Sequence, residues 1–303
     1  KRSDKHGLHF SPRILCAFHT ALKIAEWSPL TVLAGVSGTG KSELPKLYSR
    51  FGGINFINVP VQPNWDSQEA MLGYFNSISN SYQTKPMLNF LVQSREELIT
   101  ASDDPEDNYN GLDDTVSLVL LDEMNLAHVE LYFADFLSKL EQRRATKNDE
   151  LPFIDIDLGA KLDPYKLSLG RNLLFAGTMN QDETTKSLSD KVIDRGTSIF
   201  FPRPQSLHRR EKLTPLPEQS PLLPMKIWWG WINKSDLNDA AVSHYKQVIE
   251  GINKYLGTDG RALGHRVWQS IEYYMVNHPL VIGLDAEQYP DEHNLYHPDD
   301  MDV

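Results

Sequence analysis

Leu33-Ala34-Gly35-Val36-Ser37-Gly38-Thr39-Gly40-Lys41-Ser42 is the stretch from which the fold can be read. The spacing Gly35-x-x-x-x-Gly40-Lys41-Ser42 is that of a loop that wraps its own N–H groups around phosphate oxygens, where a Cβ would obstruct the approach. The apolar run from Leu30 to Leu33 is the buried strand that such a loop needs before it, and a helix should follow with its positive end on the same anion. Lys41 is placed to reach the β- and γ-phosphates, and Ser42 to ligate Mg²⁺. Gly35, Val36, Ser37, Gly38, Thr39 and Gly40 supply the backbone of the cradle.

Working outward, apolar runs alternate with helical patterns. Ser11 to Trp27 carries Ile14, Leu15, Phe18, Leu22 and Ala25 at helical spacing, with Ser11-Pro12 as cap and first turn. Strands are expected at Thr31 to Ala34, Ile54 to Val61, Val116 to Leu121, Asn172 to Thr178 and Ser198 to Phe201. Helices are expected after Lys41 (ended by Gly52-Gly53), over Met87 to Thr100, and from Leu131 to Arg143-Arg144. Pro63 to Ser81 reads as polar and aromatic without an element, Ser102 to Thr115 as a solvated loop, and Phe153 to Leu169 as a hairpin. This order predicts an α/β fold with a parallel, doubly wound sheet. Helical patterns at Asp239 to Tyr255 and Ala262 to Asn277 predict a smaller helical lid domain. The expected division is 1–28 lead-in and helix, 29–204 nucleotide-binding core, 205–278 lid and 279–303 acidic, turn-rich tail.

With 303 residues, 40% of them apolar, the chain can bury a sizeable core, so wholesale disorder is excluded. No apolar run is long enough to span a membrane, and no signal peptide follows the basic start. The absence of an initiator Met suggests a fragment of a longer polypeptide. Cys16, the single cysteine, excludes an intramolecular disulfide and a cysteine zinc cluster, and fits a core position in a cytoplasmic protein. A net charge of −11 argues against a broad nucleic-acid surface on this piece, while leaving room for a basic pore or a separate DNA-reading domain.

Beyond the loop, hydrolysis requires a metal-holding acid, a group that activates water and cations for the transition state. Leu118-Val119-Leu120-Leu121 ends in Asp122-Glu123, which offers Asp122 for Mg²⁺ and Glu123 for the water. The strand Leu173 to Thr178 ends in Met179-Asn180, a polar tip able to hydrogen-bond water and γ-phosphate. Arg195 precedes the last strand.

This order of parts resembles an AAA+ nucleotide motor from His6 to Asn277, and within it the McrB-type, dynein-related branch. The residues behind the resemblance are Pro60-Val61-Gln62-Pro63-Asn64-Trp65-Asp66, Leu72-Gly73-Tyr74, Leu121-Asp122-Glu123-Met124-Asn125-Leu126-Ala127, Gly177-Thr178-Met179-Asn180 and Ser189 to Arg195. The resemblance implies Asn180 as first sensor and Arg195 as an arginine finger acting on a neighbouring subunit's nucleotide. It also implies Arg266 as second sensor, and Gly7 and Leu8, within His6 to Phe10, beside the base. It implies a homo-oligomeric ring, most simply a hexamer, burning ATP or GTP in a restriction or defence system. DNA cleavage would then fall to a separate nuclease subunit, with DNA met through another domain or the assembled ring. The hairpin at 153–169, with Lys161 and Lys166, would face a substrate or partner. The chain departs from the pattern at Gln181-Asp182-Glu183-Thr184-Thr185 and at Asp194-Arg195-Gly196, which leaves the base preference open. A MoxR-like remodeller of a protein partner, or a nucleotide-gated scaffold with little turnover, are the alternatives.

Four other features have simpler readings. Asn233-Lys234-Ser235-Asp236 matches a guanine-reading motif but lies in the lid, where a helix start accounts for it. Trp228, Trp229 and Trp231 fit lid core or a domain interface better than base stacking. His293 and His297 have metal-like spacing, against which stand the flanking prolines at 290 and 298. Arg143-Arg144 would complement the negative end of their helix, or less simply sit at a subunit interface or pore.

Overall fold

The computed structural model describes residues 10–96, 112–147, 150–159, 162–180, 186–203, 220–234, 240–258, 260 and 262–279. In chain order the elements are α1 (Pro12–Lys23), β1 (Leu30–Gly35), α2 (Glu43–Gly52), β2 (Asn55–Pro60), α3 (Glu69–Leu72), β3 (Gly73–Asn76), β4 (Ser81–Thr84), α4 (Pro86–Gln93) and β5 (Ser117–Asp122). There follow α5 (Val129–Tyr132), α6 (Ala134–Arg143), β6 (Phe153–Ile156), β7 (Tyr165–Ser168), β8 (Leu173–Asn180), α7 (Asp190–Ile193), β9 (Gly196–Phe200), α8 (Met225–Gly230), α9 (Ala240–Thr258) and α10 (His265–Asn277).

Five strands form one sheet in the order β2-β5-β8-β1-β9, every neighbouring pair parallel. Parallel strands need crossovers, which put helices on both faces, and the central strands β1, β5 and β8 are apolar and buried on both sides accordingly, while the edge strands β2 and β9 are partly polar and exposed. Leu118, Leu120, Leu174, Ala176 and Leu33 face one core with Phe18, Leu22, Leu44 and Trp228. Val119, Leu121, Phe175, Leu30 and Val32 face the other, with Phe133, Phe136, Leu140 and Ile154. The chain leaves β1 across β8 and β5 toward β2, whereas it leaves β8 across β1 toward β9. Connections departing in opposite directions open a crevice at the carboxyl ends of β1 and β8, the place where open α/β sheets bind ligands.

Several expectations change. The segment 63–81 is not without structure, because α3 leads into an antiparallel hairpin of β3 and β4 that runs on to Thr84. The helix expected over 87–100 ends at Gln93, where the Ser94 hydroxyl donates to the Leu91 carbonyl at 2.7 Å; positions 97–100 lie outside the described residues. The helix expected from Leu131 breaks at Phe133 into α5 and α6. Arg143 is no solvated helix-end cation. It is 1% exposed and donates to the Gly170 and Leu173 carbonyls at 2.6 and 3.0 Å, with Glu26 3.3 Å away. Buried there, it supplies a donor to the carbonyl of Leu173, the first residue of β8. Burial pulls its pKa below the usual guanidinium value while Glu26 opposes that shift.

In the segment read as lid, Trp228 joins the core of α1, and its ring meets Trp231 edge-on at 5.8 Å. The Trp cluster is therefore core, with Trp229 left partly exposed. Asn233 exchanges backbone hydrogen bonds with the Asn277 amide at 2.8 and 3.0 Å, a structural use of that position; Ser235 and Asp236 lie outside the described residues, as do Lys161, His293 and His297. Among the described residues no helix is long and apolar enough to cross a membrane.

His19 of α1 makes a 2.6 Å hydrogen bond with the Tyr48 hydroxyl and lies against Trp228 and Trp231. Burial first, then nearby Lys23 and His278, lowers its pKa from 6.5 to about 3. The folded pKa lies below the unfolded one, so only the unfolded chain takes up this proton between those values. The associated stability is complete above pH 6.5 and falls by about 1.4 kcal/mol per pH unit as acid is added. Urea midpoints of the wild type should therefore drop more steeply from pH 6.5 to 5 than those of His19→Gln; parallel curves would refute the assignment.

Candidate active site

The buried strand β1 delivers the chain to the loop at Gly35. Gly38 and Gly40 take φ of +80° and +87°, conformations that L side chains rarely adopt and that let the loop curl tightly. The Thr39 hydroxyl closes it on the Val36 carbonyl at 2.9 Å. Lys41 Nζ lies within the curl, 3.0 Å from the Gly35 carbonyl and 2.6 Å from that of Val36. The helix α2 then begins at Glu43, and Pro45 fits because the first turn needs no N–H from it. The Phe10 ring rests against Gly40; Gly7 and Leu8 lie outside the described residues.

Ser42 caps α2 with its backbone only, because its hydroxyl donates instead to Asp122 Oδ1 at 2.6 Å. Thr178 donates to that same oxygen at 2.6 Å and accepts the Glu123 N–H at 2.8 Å. Asn58 on β2 reaches the other oxygen more weakly, at 3.5 Å. Glu123 is left-handed, with φ 55° and ψ 44°. A non-glycine residue in that region costs on the order of 1 kcal/mol, and its surroundings hold it there. Leu126 closes a 3-10 turn on the Glu123 carbonyl at 3.0 Å, and Met124 is buried against Gly177, where any Cβ would collide with the sulfur. This turn aims the carboxylate across the crevice, where Asn180 Nδ2 donates to Glu123 Oε1 at 3.0 Å. Asn125, 1% exposed, steadies the arrangement by donating to the carbonyls of Asn180 at 2.9 Å and Lys186 at 3.3 Å.

The structure thus gathers Gly35 to Ser42, Asp122, Glu123 and Asn180 at one edge of the sheet. Thr178 and Asn125 stand within the motifs quoted from the sequence, which gave neither of them a role. For Thr178 a signal existed: once β5 and β8 are adjacent, with Leu121 beside Gly177, the next pair is Asp122 and Thr178. Ser42 and Asp122 offer only hard oxygen donors, the chemistry that suits Mg²⁺.

Arg195 and Arg266 are not in this group. Arg195 immediately precedes β9, whose first residue pairs with Leu30 at the start of β1. At about 3.3 Å per residue it stands roughly 16–20 Å from its own phosphate loop, at the opposite edge. Its Nε lies 3.4 Å from Glu141 Oε2, and Arg266 Nη1 lies 2.8 Å from Glu141 Oε1. Arg266 is held at that same edge by Glu141 and not beside the loop. Asp182 lies outside the described residues. The hairpin β6–β7 forms as expected, and Lys166 lies over the Phe153 ring at 4.7 Å.

No family model matches this sequence, and no curated protein does. Among solved structures, a candidate ATPase from Cytophaga hutchinsonii ATCC 33406 is similar at 14% identity and a TM-score of 0.38. The match covers 66% of this chain and 49% of that one, so this chain spans about half the neighbour's length. So slight a likeness adds nothing to what the side chains themselves bring together at the carboxyl edge of the sheet.

Proposed function

We propose that this chain is a Mg²⁺-dependent nucleoside triphosphatase of the AAA+ type, the McrB-like motor of a cytoplasmic restriction or defence system, working as a ring of identical copies. The observation that carries this reading is the hydrogen-bonded series Ser42–Asp122–Thr178–Glu123–Asn180 beside the Lys41 loop. The loop amides and Lys41 bind the triphosphate. Ser42 and Asp122 hold the metal, which when bound neutralises phosphate charge. Glu123 takes a proton from the attacking water, and Asn180 orients that water against the γ-phosphate. ATP or GTP is the fuel, and a separate nuclease subunit would cut DNA met through another domain or the assembled ring.

The same observation speaks against a scaffold that binds without turnover, since a base aimed across the crevice has no use in mere binding. Arg195 is too far from its own loop to act there, and in this reading it completes a neighbour's site. A cation supplied that way accelerates hydrolysis by about 10³ to 10⁵. Phosphate release per subunit should therefore rise with protein concentration. Two inactive variants should also rescue each other: Arg195→Ala retains a usable loop, and Lys41→Ala retains a usable finger. Mixtures no more active than either variant alone would exclude action across an interface.

A further inference from the structure

Glu141 sits in the last turn of α6, where the helix's negative end disfavours a carboxylate unless cations offset it. Two do, one on each oxygen: Arg195 from the turn before β9, and Arg266 from the first turn of α10. All three side chains are partly exposed, at 24% for Glu141, 27% for Arg195 and 48% for Arg266. Ion pairs this wet are worth about 0–1 kcal/mol each, so they are a poor means of stabilising a fold. What they do well is aim. Arg195 approaches Glu141 Oε2 through Nε, the nitrogen nearest its stem, at 3.4 Å. A guanidinium paired at Nε still has its terminal fork to offer, the half that recognises phosphate oxygens in pairs.

We propose that Glu141 is the positioning residue for Arg195, and that by sharing its carboxylate with Arg266 it couples the aim of Arg195 to the placement of α10. The inference rests on the reading of Arg195 as a cation acting on a neighbour's nucleotide. Movement of α10 that tightens or releases Arg266 changes the carboxylate's hold on Arg195, so one copy's helical segment sets the activity of the next copy's site.

The test is steady-state phosphate release at saturating protein concentration for wild type, Glu141→Gln, Arg195→Ala and the double variant, with ATP or GTP titrated and thermal melting recorded. Glu141→Gln should lower kcat about fivefold, the size of one exposed ion pair, with KM and melting unchanged. The double variant should be no slower than Arg195→Ala alone, since Glu141 acts only through that arginine. Glu141→Asp keeps the charge but is too short to hold both partners, and it should also lose rate; it serves if Glu141→Gln melts early. Effects of Glu141→Gln and Arg195→Ala that multiply, or a Glu141→Gln protein as fast as wild type, would overturn the positioning role alone. An Arg195→Ala protein as fast as wild type would overturn the reading of Arg195, and this inference with it.

Discussion

Glu123→Gln should lower phosphate release by about 10² to 10⁴-fold and leave nucleotide binding nearly intact. Glutamine matches glutamate in size and can still accept from Asn180 at the position now 3.0 Å from Oε1, so the turn at 123–126 should persist. It has no carboxylate to take a proton from water. The contacts assigned to the triphosphate come from Gly35 to Ser42, none of which Glu123 touches in the bonds that define its place. Phosphate release and equilibrium binding of a fluorescent nucleotide should therefore separate. If both collapse together, Glu123 holds the site's shape and some other group activates the water.

The largest expected loss of stability lies far from that chemistry. Glu26→Ala removes the carboxylate beside Arg143, a guanidinium that is 1% exposed and cannot recover its hydration. It also removes a partner of Arg171, which bonds Glu26 and donates to the carbonyls of Arg143 and Thr146 at 2.8 and 2.6 Å. Leaving a buried charge without its counter-ion costs about 3–5 kcal/mol, whereas replacing the whole pair with apolar groups can be neutral. Urea unfolding should show the loss for Glu26→Ala and a substantial recovery in Glu26→Ala with Arg143→Met. A single variant within about 0.5 kcal/mol of wild type, the range of ordinary surface changes, would mean that the Gly170 and Leu173 carbonyls alone satisfy Arg143.

These two sites differ in how plainly they stand in the sequence. The phosphate loop, the Asp122-Glu123 strand end and the Asn180 strand end are legible because each is a local pattern, a few residues whose types and spacing fix both backbone and chemistry. The central strands β1, β5 and β8, buried on both faces, read as apolar runs, so the middle of the sheet was legible too. The β3–β4 hairpin was not, because its strands are four residues each, mostly polar, and supported by a tertiary contact of Phe75 with Gly159. Arg143 misled for the opposite reason: a helix-end arginine is ordinarily solvated, and only the fold brings two carbonyls and a carboxylate to it. Thr178 needed the register of β5 on β8, and the sharing of Glu141 by Arg195 and Arg266 needed three elements distant in sequence.

Thr178 has one proton to give, and it gives it to Asp122 while accepting the Glu123 N–H. The acid assigned to the metal and the acid assigned to water are thereby wired through a single atom. Displacement spreads through that atom: a change that draws Asp122 away also loosens the backbone that aims Glu123. Substitutions of Asp122 and of Thr178 will behave as damage to one part, not to two.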